Sequence, residues 1–350
     1  MRRTAVDTPT LAPCEDPEPD VGDGGSASPG RCGGCAGPPG SCPQPLLHLF
    51  SGDLDRCWAD VVLALRLLVR PAAEAGDSPG TVSVNGVTVG VAGGRVQVRV
   101  CGREADAFAT SLQCWVTGRD AAGHTALLLA GRRLLSAGRW ADAALVASLL
   151  LDAGSDANAV NRDGRSLLSY AVAALDDAAE TSRLLLNHGA SVLGAGPHDA
   201  VPPTLRPTLT PGGGAEPCPS SPVFAWFLRA VIRRRRLDEG CLRTLALVSQ
   251  EMAEQMGPRR MHGLVLRTMF RHSRCYRVLG PVFLQIKTAM ARHWSTPQDL
   301  RSLCRCVIRR SLGVPSAHGP AAGGARLPLH QSVRALGLPR PLQEYLLLYA

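Results

Sequence analysis

Apolar residues recur along most of this chain every three to four positions, and in one stretch every two. From Leu46 to Arg70, "LLHLFSGDLDRCWADVVLALRLLVR" predicts a helix that Pro71 stops. From Thr81 to Gly102, "TVSVNGVTVGVAGGRVQVRVCG" alternates apolar and polar residues. That alternation predicts a small antiparallel hairpin or meander with turns at Asn85-Gly86 and Gly93-Gly94. Helical spacing returns after residue 120 and dominates to the end. Ser221-Pro222 opens a helix carrying Phe224, Phe227, Leu228, Val231 and Ile232 on one face. Helical signals continue through "CLRTLALVSQEMAEQM", "MHGLVLRTMF" and "PVFLQIKTAMARHW".

Two segments repeat one another. "DAAGHTALLLA" starts at Asp120 and "NRDGRSLLSYA" at Asn161. Each leads into a second apolar helix and a Gly-bearing turn, "ALVASLLLDAGSDAN" and "TSRLLLNHGAS". Asp120/Gly123 and Asp163/Gly164 supply turns, and Thr125 and Ser166 cap the helices that follow. Leu127, Leu128, Leu167 and Leu168 begin the buried faces, and Gly154 and Gly189 end the second helices. The pattern resembles the ankyrin repeat, D-x-x-G-x-T-P-L followed by LL-x-x-G-A-D-x-N. The step from Gly123 to Gly164 exceeds the repeat's usual length of about 33 residues. The first repeat therefore carries an insertion near "RRLLSAGRWADA". Two repeats cannot bury their faces alone, so the helices before residue 70 and after residue 220 are expected to serve as degenerate repeats or caps.

The stretch "TPQDLRSLCRCVIRRSLG", Thr296 to Gly313, carries the most specific signal. Thr296 to Asp299 reads as a capping box with proline at the first helical position. Leu300, Leu303, Cys304, Val307 and Ile308 then form one stripe, flanked by Arg301, Arg305, Arg309 and Arg310. Cys306 lies off the stripe and reads as incidental. "DLRSLCRCVIRRSLG" resembles the elongin-binding half of the SOCS box, close to S-L-x-x-L-C-R-x-x-I-R-x-x-L-G. "VRALGLPRPLQEYLL" resembles its cullin-contacting half. Val333, Leu336, Leu338, Pro339, Leu342, Tyr345 and Leu346 stand in register there, and Gly337 replaces the first proline.

The chain is thus similar to the ankyrin repeat and SOCS box family. The resemblance implies a non-catalytic substrate-recognition adaptor of a cullin–RING ubiquitin ligase. Elongin C, with elongin B, would bind Leu300, Leu303, Cys304, Val307 and Ile308. A cullin, cullin-five by the resemblance, with its RING-box protein, would meet Leu336, Leu338, Pro339, Leu342 and Tyr345. The ankyrin region would bind a substrate protein, with the repeat loops and the hairpin at 81–100 as the reading surface. If the register is right, Gly337→Pro should hold or improve cullin binding. A small thiol at Cys304 suits a tight partner pocket that leucine would overfill.

The fold expected is mostly α: an ankyrin-type helical repeat stack with a small β-hairpin insertion, a C-terminal helical SOCS box and a disordered N-terminus. Its divisions are a disordered tail at 1–45, an N-terminal helix and β-hairpin region at 46–118, and ankyrin repeats at 119–193. A flexible insertion at 194–220, degenerate helical repeats at 221–295 and the SOCS box at 296–350 follow.

Composition adds constraints. The opening residues form no secretory signal, and no apolar run reaches the ~18 residues of a membrane span. The twelve cysteines therefore read as reduced thiols of a cytosolic, or also nuclear, protein. "CGGCAGPPGSC", with Cys32, Cys35 and Cys42, lacks a partner pair for zinc, and no cofactor or metal is expected. "GDSPG" around Ser78 lacks the strand-to-helix context of a hydrolase nucleophile. The net charge of +9 and the Arg233–Arg236 run invite a nucleic-acid reading, but no recognition or stacking motif accompanies them. An ankyrin scaffold without ligase function is the other alternative. Lys287 is the single lysine, and biased codon composition accounts for an Arg-rich chain as readily as function does.

Overall fold

The structure, a computed structural model, describes residues 44–69, 81–92, 95–101, 103–105, 109–193, 222–272, 276–295, 300–312 and 329–347. The expected N-terminal tail to residue 43, the 194–220 insertion, the Cys32/Cys35/Cys42 cluster and Ser78 lie outside them. So do the Gly93-Gly94 turn, the Thr296–Asp299 capping box and Gly313. The described residues are mostly helical, with one small antiparallel sheet.

The apolar run from Leu46 forms two helices rather than the one expected. Helix α1 is Pro45–Ser51 and α2 is Trp58–Val69. Gly52 breaks the run in an extended conformation, and Asp53 Oδ1 accepts the amides of Asp55 and Arg56. A Cβ at Gly52 would lie 2.3 Å from Asn85 Cγ, so only glycine lets the sheet's first turn approach this closely. Strands β1 (Thr81–Val84), β2 (Val87–Ala92), β3 (Arg95–Val100) and β4 (Arg103–Ala105) form a meander in sequential order. Asn85 and Gly86 turn with φ of 50° and 77°, the left-handed pair that suits strand twist. Asn85 Nδ2 donates to Leu49 O at 2.8 Å, fastening that turn to α1. Strand β4 went unread in the sequence. So did helix α3, Ala109–Thr117, whose signal is only Leu112, Trp115 and Val116.

The two repeated segments fold alike. Helices α4 (Ala126–Ser136) and α5 (Trp140–Asp152) form the first unit. Helix α6 (Leu167–Ala173), a 3-10 turn (Leu175–Ala178) and α7 (Ala179–Asn187) form the second. Both helices of the first unit are longer than their counterparts, α4 with 11 residues against 7 in α6 and α5 with 13 against 9 in α7. Thr125 Oγ1 accepts the Leu128 amide and Ser166 Oγ the Ser169 amide, so each first helix is capped by its own hydroxyl. Asp120 Oδ1 closes the first turn by accepting the amides of Ala122 and His124. In the second turn Asn161, not Asp163, does this for Asp163 and Arg165. The two turns join through Arg162 N–H to Ala122 O at 3.2 Å and Arg119 Nη1 to Val160 O at 2.6 Å. Gly154 and Gly189 end the second helices at φ of 91° and 87°.

Helices α8 (Pro222–Arg234), α9 (Glu239–Met256), α10 (Pro258–Arg271) and α11 (Tyr276–Ser295) extend the stack. Phe224, Phe227, Leu228 and Val231 of α8 are fully buried, and each contributes about 1.5–3 kcal/mol of burial free energy. Arg235 ends α8 at φ 57°, and Arg234 and Arg236 pair with Asp238. Part of the basic run is thus spent on a helix end. One apolar core runs from Leu46 in α1 to Met290 in α11. Helices α12 (Leu300–Ser311), α13 (Leu329–Ala335) and α14 (Arg340–Leu346) form a C-terminal module with its own core of Leu329, Val333, Leu346 and Leu347.

Candidate functional site

Helix α12 presents two unlike faces. Leu300 is 76% exposed, Leu303 45% and Val307 65%, and Cys304 beside them is exposed. These are four of the five residues assigned to the elongin site. The fifth, Ile308, turns inward and packs with Leu312 and Leu338 against the small core. The opposite face carries Arg305, Cys306 and Arg309, all buried. The expectation that Arg305 and Arg309 merely flank the apolar stripe is therefore wrong, as is the reading of Cys306 as incidental. They are the helix's inner side.

Those arginines are held by α9. Arg305 Nη2 lies 2.7 Å from Glu254 Oε1, and Arg309 Nη2 lies 3.1 Å from Glu251 Oε2. Arg309 Nε adds a longer contact of 3.4 Å to Glu254, and its Nη1 donates to Leu346 O at 3.0 Å. Two arginines one turn apart on α12 thus face two glutamates one turn apart on α9. Burial pushes the Glu251 carboxyl above its ordinary value, and the Arg309 guanidinium pulls it back. The four charges balance, which keeps a buried ionic cluster tolerable.

The second half of the module divides similarly. Of the residues assigned to the cullin, Leu336 and Leu342 are 45% and 44% exposed, and Pro339 is exposed. Leu338 packs inward against the small core. Tyr345 is half-buried, its ring under the guanidinium groups of Arg301 at 5.1 Å and Arg305 at 4.8 Å. Leu338 and Tyr345 thus hold the module together, while Leu336, Pro339 and Leu342 face outward. Gly337 ends α13 at φ 62°. Proline cannot adopt that angle, so the backbone at Gly337 gives no support to the expectation that Gly337→Pro holds or improves cullin binding.

Sequence reasoning missed the Arg305–Glu254 and Arg309–Glu251 pairs. The signal was present: "QEMAEQM" places two acids in an otherwise basic region. It also missed Asp152, His188 and His330, which converge from three helices.

A family model for the SOCS box matches residues 296–347, the stretch that contains α12, α13 and α14. No curated protein and no solved structure gives a significant match to the chain. The chain therefore carries a SOCS box, the elongin B/C-binding motif of cullin–RING ligase adaptors, which points to an adaptor and not to a catalytic subunit. Among the described residues no helix is long and apolar enough to cross a membrane.

Proposed function

We propose that this chain is a substrate-recognition adaptor of a cullin–RING ubiquitin ligase. The outer face of α12 is the elongin C site, with elongin B joining through elongin C. Leu336, Pro339 and Leu342 meet the cullin, for which cullin-five is the candidate, with its RING-box protein. The two capped turn–helix–helix units are ankyrin repeats. Together with the sheet they present a substrate protein, whose lysine the assembly places near activated ubiquitin.

The inversion of α12 carries this reading. A helix folding only for its own chain buries leucine and exposes arginine. Here Leu300 and Val307 face solvent while Arg305 and Arg309 are inside. Such an arrangement costs free energy unless a partner covers the stripe, because desolvating a guanidinium is expensive and exposed leucine forgoes its burial gain.

The test is co-purification of the full chain with elongins B and C. Truncating an apolar anchor costs about 2–4 kcal/mol of binding, or roughly 30- to 1000-fold in affinity. Leu300→Ala with Cys304→Ala should abolish elongin capture while the circular dichroism of the chain stays unchanged, since both side chains are exposed. Leu336→Ala with Leu342→Ala should spare elongin capture and weaken cullin recruitment. Wild-type elongin capture by the first double variant would refute the assignment.

A further inference from the structure

Asp152 is the last residue of α5, His188 follows the end of α7, and His330 lies in the first turn of α13. The repeat units and the C-terminal module thus meet at three side chains. The His188 and His330 ring centroids are 4.3 Å apart, with planes tilted by 42°. His330 Nε2 lies 3.4 Å from Asp152 Oδ1. One donor atom from each residue lies within 4.8 Å of the other two.

These distances suit a small, borderline-soft cation. With bonds of about 2.0–2.1 Å, a tetrahedral zinc shell separates neighbouring ligand atoms by about 3.3 Å. The His330–Asp152 edge already has that length, and the remaining edges need to close by about 1.5 Å or less. Two imidazole nitrogens and one carboxylate oxygen favour zinc over calcium or magnesium, which prefer all-oxygen shells.

The protonation states agree with the geometry. Burial lowers His188 to about 4, with the His330 ring adding to the shift and Asp152 opposing it. Burial also lowers His330, against Asp152 and with help from Arg334. Burial thus favours the neutral form of each ring, the form that coordinates a metal.

We propose that Asp152, His188 and His330 form a zinc site that staples the C-terminal module to the repeat units, with water completing a four-coordinate shell. The site uses none of the stripe residues of α12, so its occupancy does not depend on the ligase reading. Its consequence is mechanical. A bound ion ties the ends of α5 and α7 to α13 and fixes the module's orientation.

The experiment is titration of the metal-free full chain with cobalt, followed by zinc displacement. The visible d–d bands of tetrahedral cobalt report the site. Charge-transfer absorption from thiolate ligands separates it from metal held by the chain's cysteines, including the Cys32, Cys35 and Cys42 cluster. The wild type should give stoichiometric d–d bands without thiolate absorption. Zinc should abolish those bands and raise the melting temperature. Losing an outer-sphere partner of a metal site typically lowers affinity about 10- to 100-fold. Asp152→Asn and His330→Ala, which remove a ligand, should each lower zinc affinity by at least that much. Asp152→Asn is isosteric and keeps the fold testable if His330→Ala loosens α13. Asp152→His, which keeps a donor, should retain the cobalt bands. Equal zinc affinity in the wild type and Asp152→Asn would overturn the proposal, as would wild-type cobalt absorption of the thiolate kind alone.

Discussion

Arg309 is 3% exposed and touches Glu251, Glu254 and the carbonyl of Leu346. Removing one member of a buried ionic cluster strands the others without solvent, at a cost of about 3–5 kcal/mol. Arg309→Ala should therefore lower amide-exchange protection in α12 by roughly that amount at neutral pH. The sign of the pH dependence follows from Glu251. Burial already raises its carboxyl and Arg309 is the main group opposing that rise, so the variant's Glu251 is raised further. A carboxyl raised in the folded state contributes stability below its unfolded pKa and loses it as pH rises through the folded value. The penalty of Arg309→Ala should thus be smaller near pH 5 than near pH 8. Replacing Arg309 and Glu251 together by Met should recover most of the loss, because two well-packed apolar side chains need no counter-charge. Protection in Arg309→Ala that is unchanged, or lower at pH 5 than at pH 8, would contradict this account. None of it was legible from the α12 sequence, which gives a stripe of five apolar residues and four arginines around it. Which face turns inward is decided by Glu251 and Glu254, about 50 residues upstream.

At the scale of elements, the helical period, the meander and the capped turns were legible because each rests on contacts within about ten residues. Thr125, Ser166, Asn85-Gly86, Gly154 and Gly189 act where their chemistry predicts. What local pattern could not carry was interruption and exchange. The break at Gly52 is imposed by a turn 33 residues away, and Asn161 takes the turn-closing role assigned to Asp163 because it occupies the place of Asp120. Gly337 is the sharpest case, since alignment to a proline-bearing pattern predicts extended backbone and the chain makes a left-handed helix end instead. No atom lies within 4 Å of a Cβ built there, so the cost of substitution is conformational alone. Gly337→Asn should be close to neutral, Gly337→Ala should cost about 1 kcal/mol, and Gly337→Pro about 3 kcal/mol or more. Urea unfolding followed by signals from α13 and α14 would measure the series. A proline variant as stable as the alanine one would mean that the α13–α14 joint is not built as described.

At the scale of the whole molecule, α9 acts as a strut. Asp176 of the second repeat unit accepts the amides of Arg243 and Thr244 near one end of it. Gln255 near the other end accepts from Ser191 Oγ and the Val192 amide. Between them Glu251 and Glu254 grip the C-terminal module, whose small core is otherwise separate from the main one. Under the proposed adaptor function, such a strut between the repeat units and α12 would hold a substrate at a set distance from activated ubiquitin. Under the same proposal, the chain's own surface would lie within reach of that ubiquitin. Lys287, on α11 and exposed, is the one lysine in the sequence. If self-modification limits the lifetime of this chain, new lysines near the strut should shorten it. Arg259→Lys and Arg271→Lys, both at exposed positions on α10, keep charge and length while adding acceptors. The expected outcome is a shorter cellular half-life for that double variant. The wild-type half-life should return when Leu300→Ala and Cys304→Ala are added, since uncoupling elongin removes the ubiquitin source without touching the new lysines. A half-life insensitive to the added lysines would leave the scarcity of lysine to codon composition. A shortened half-life that persists without the elongin stripe would assign turnover to another ligase.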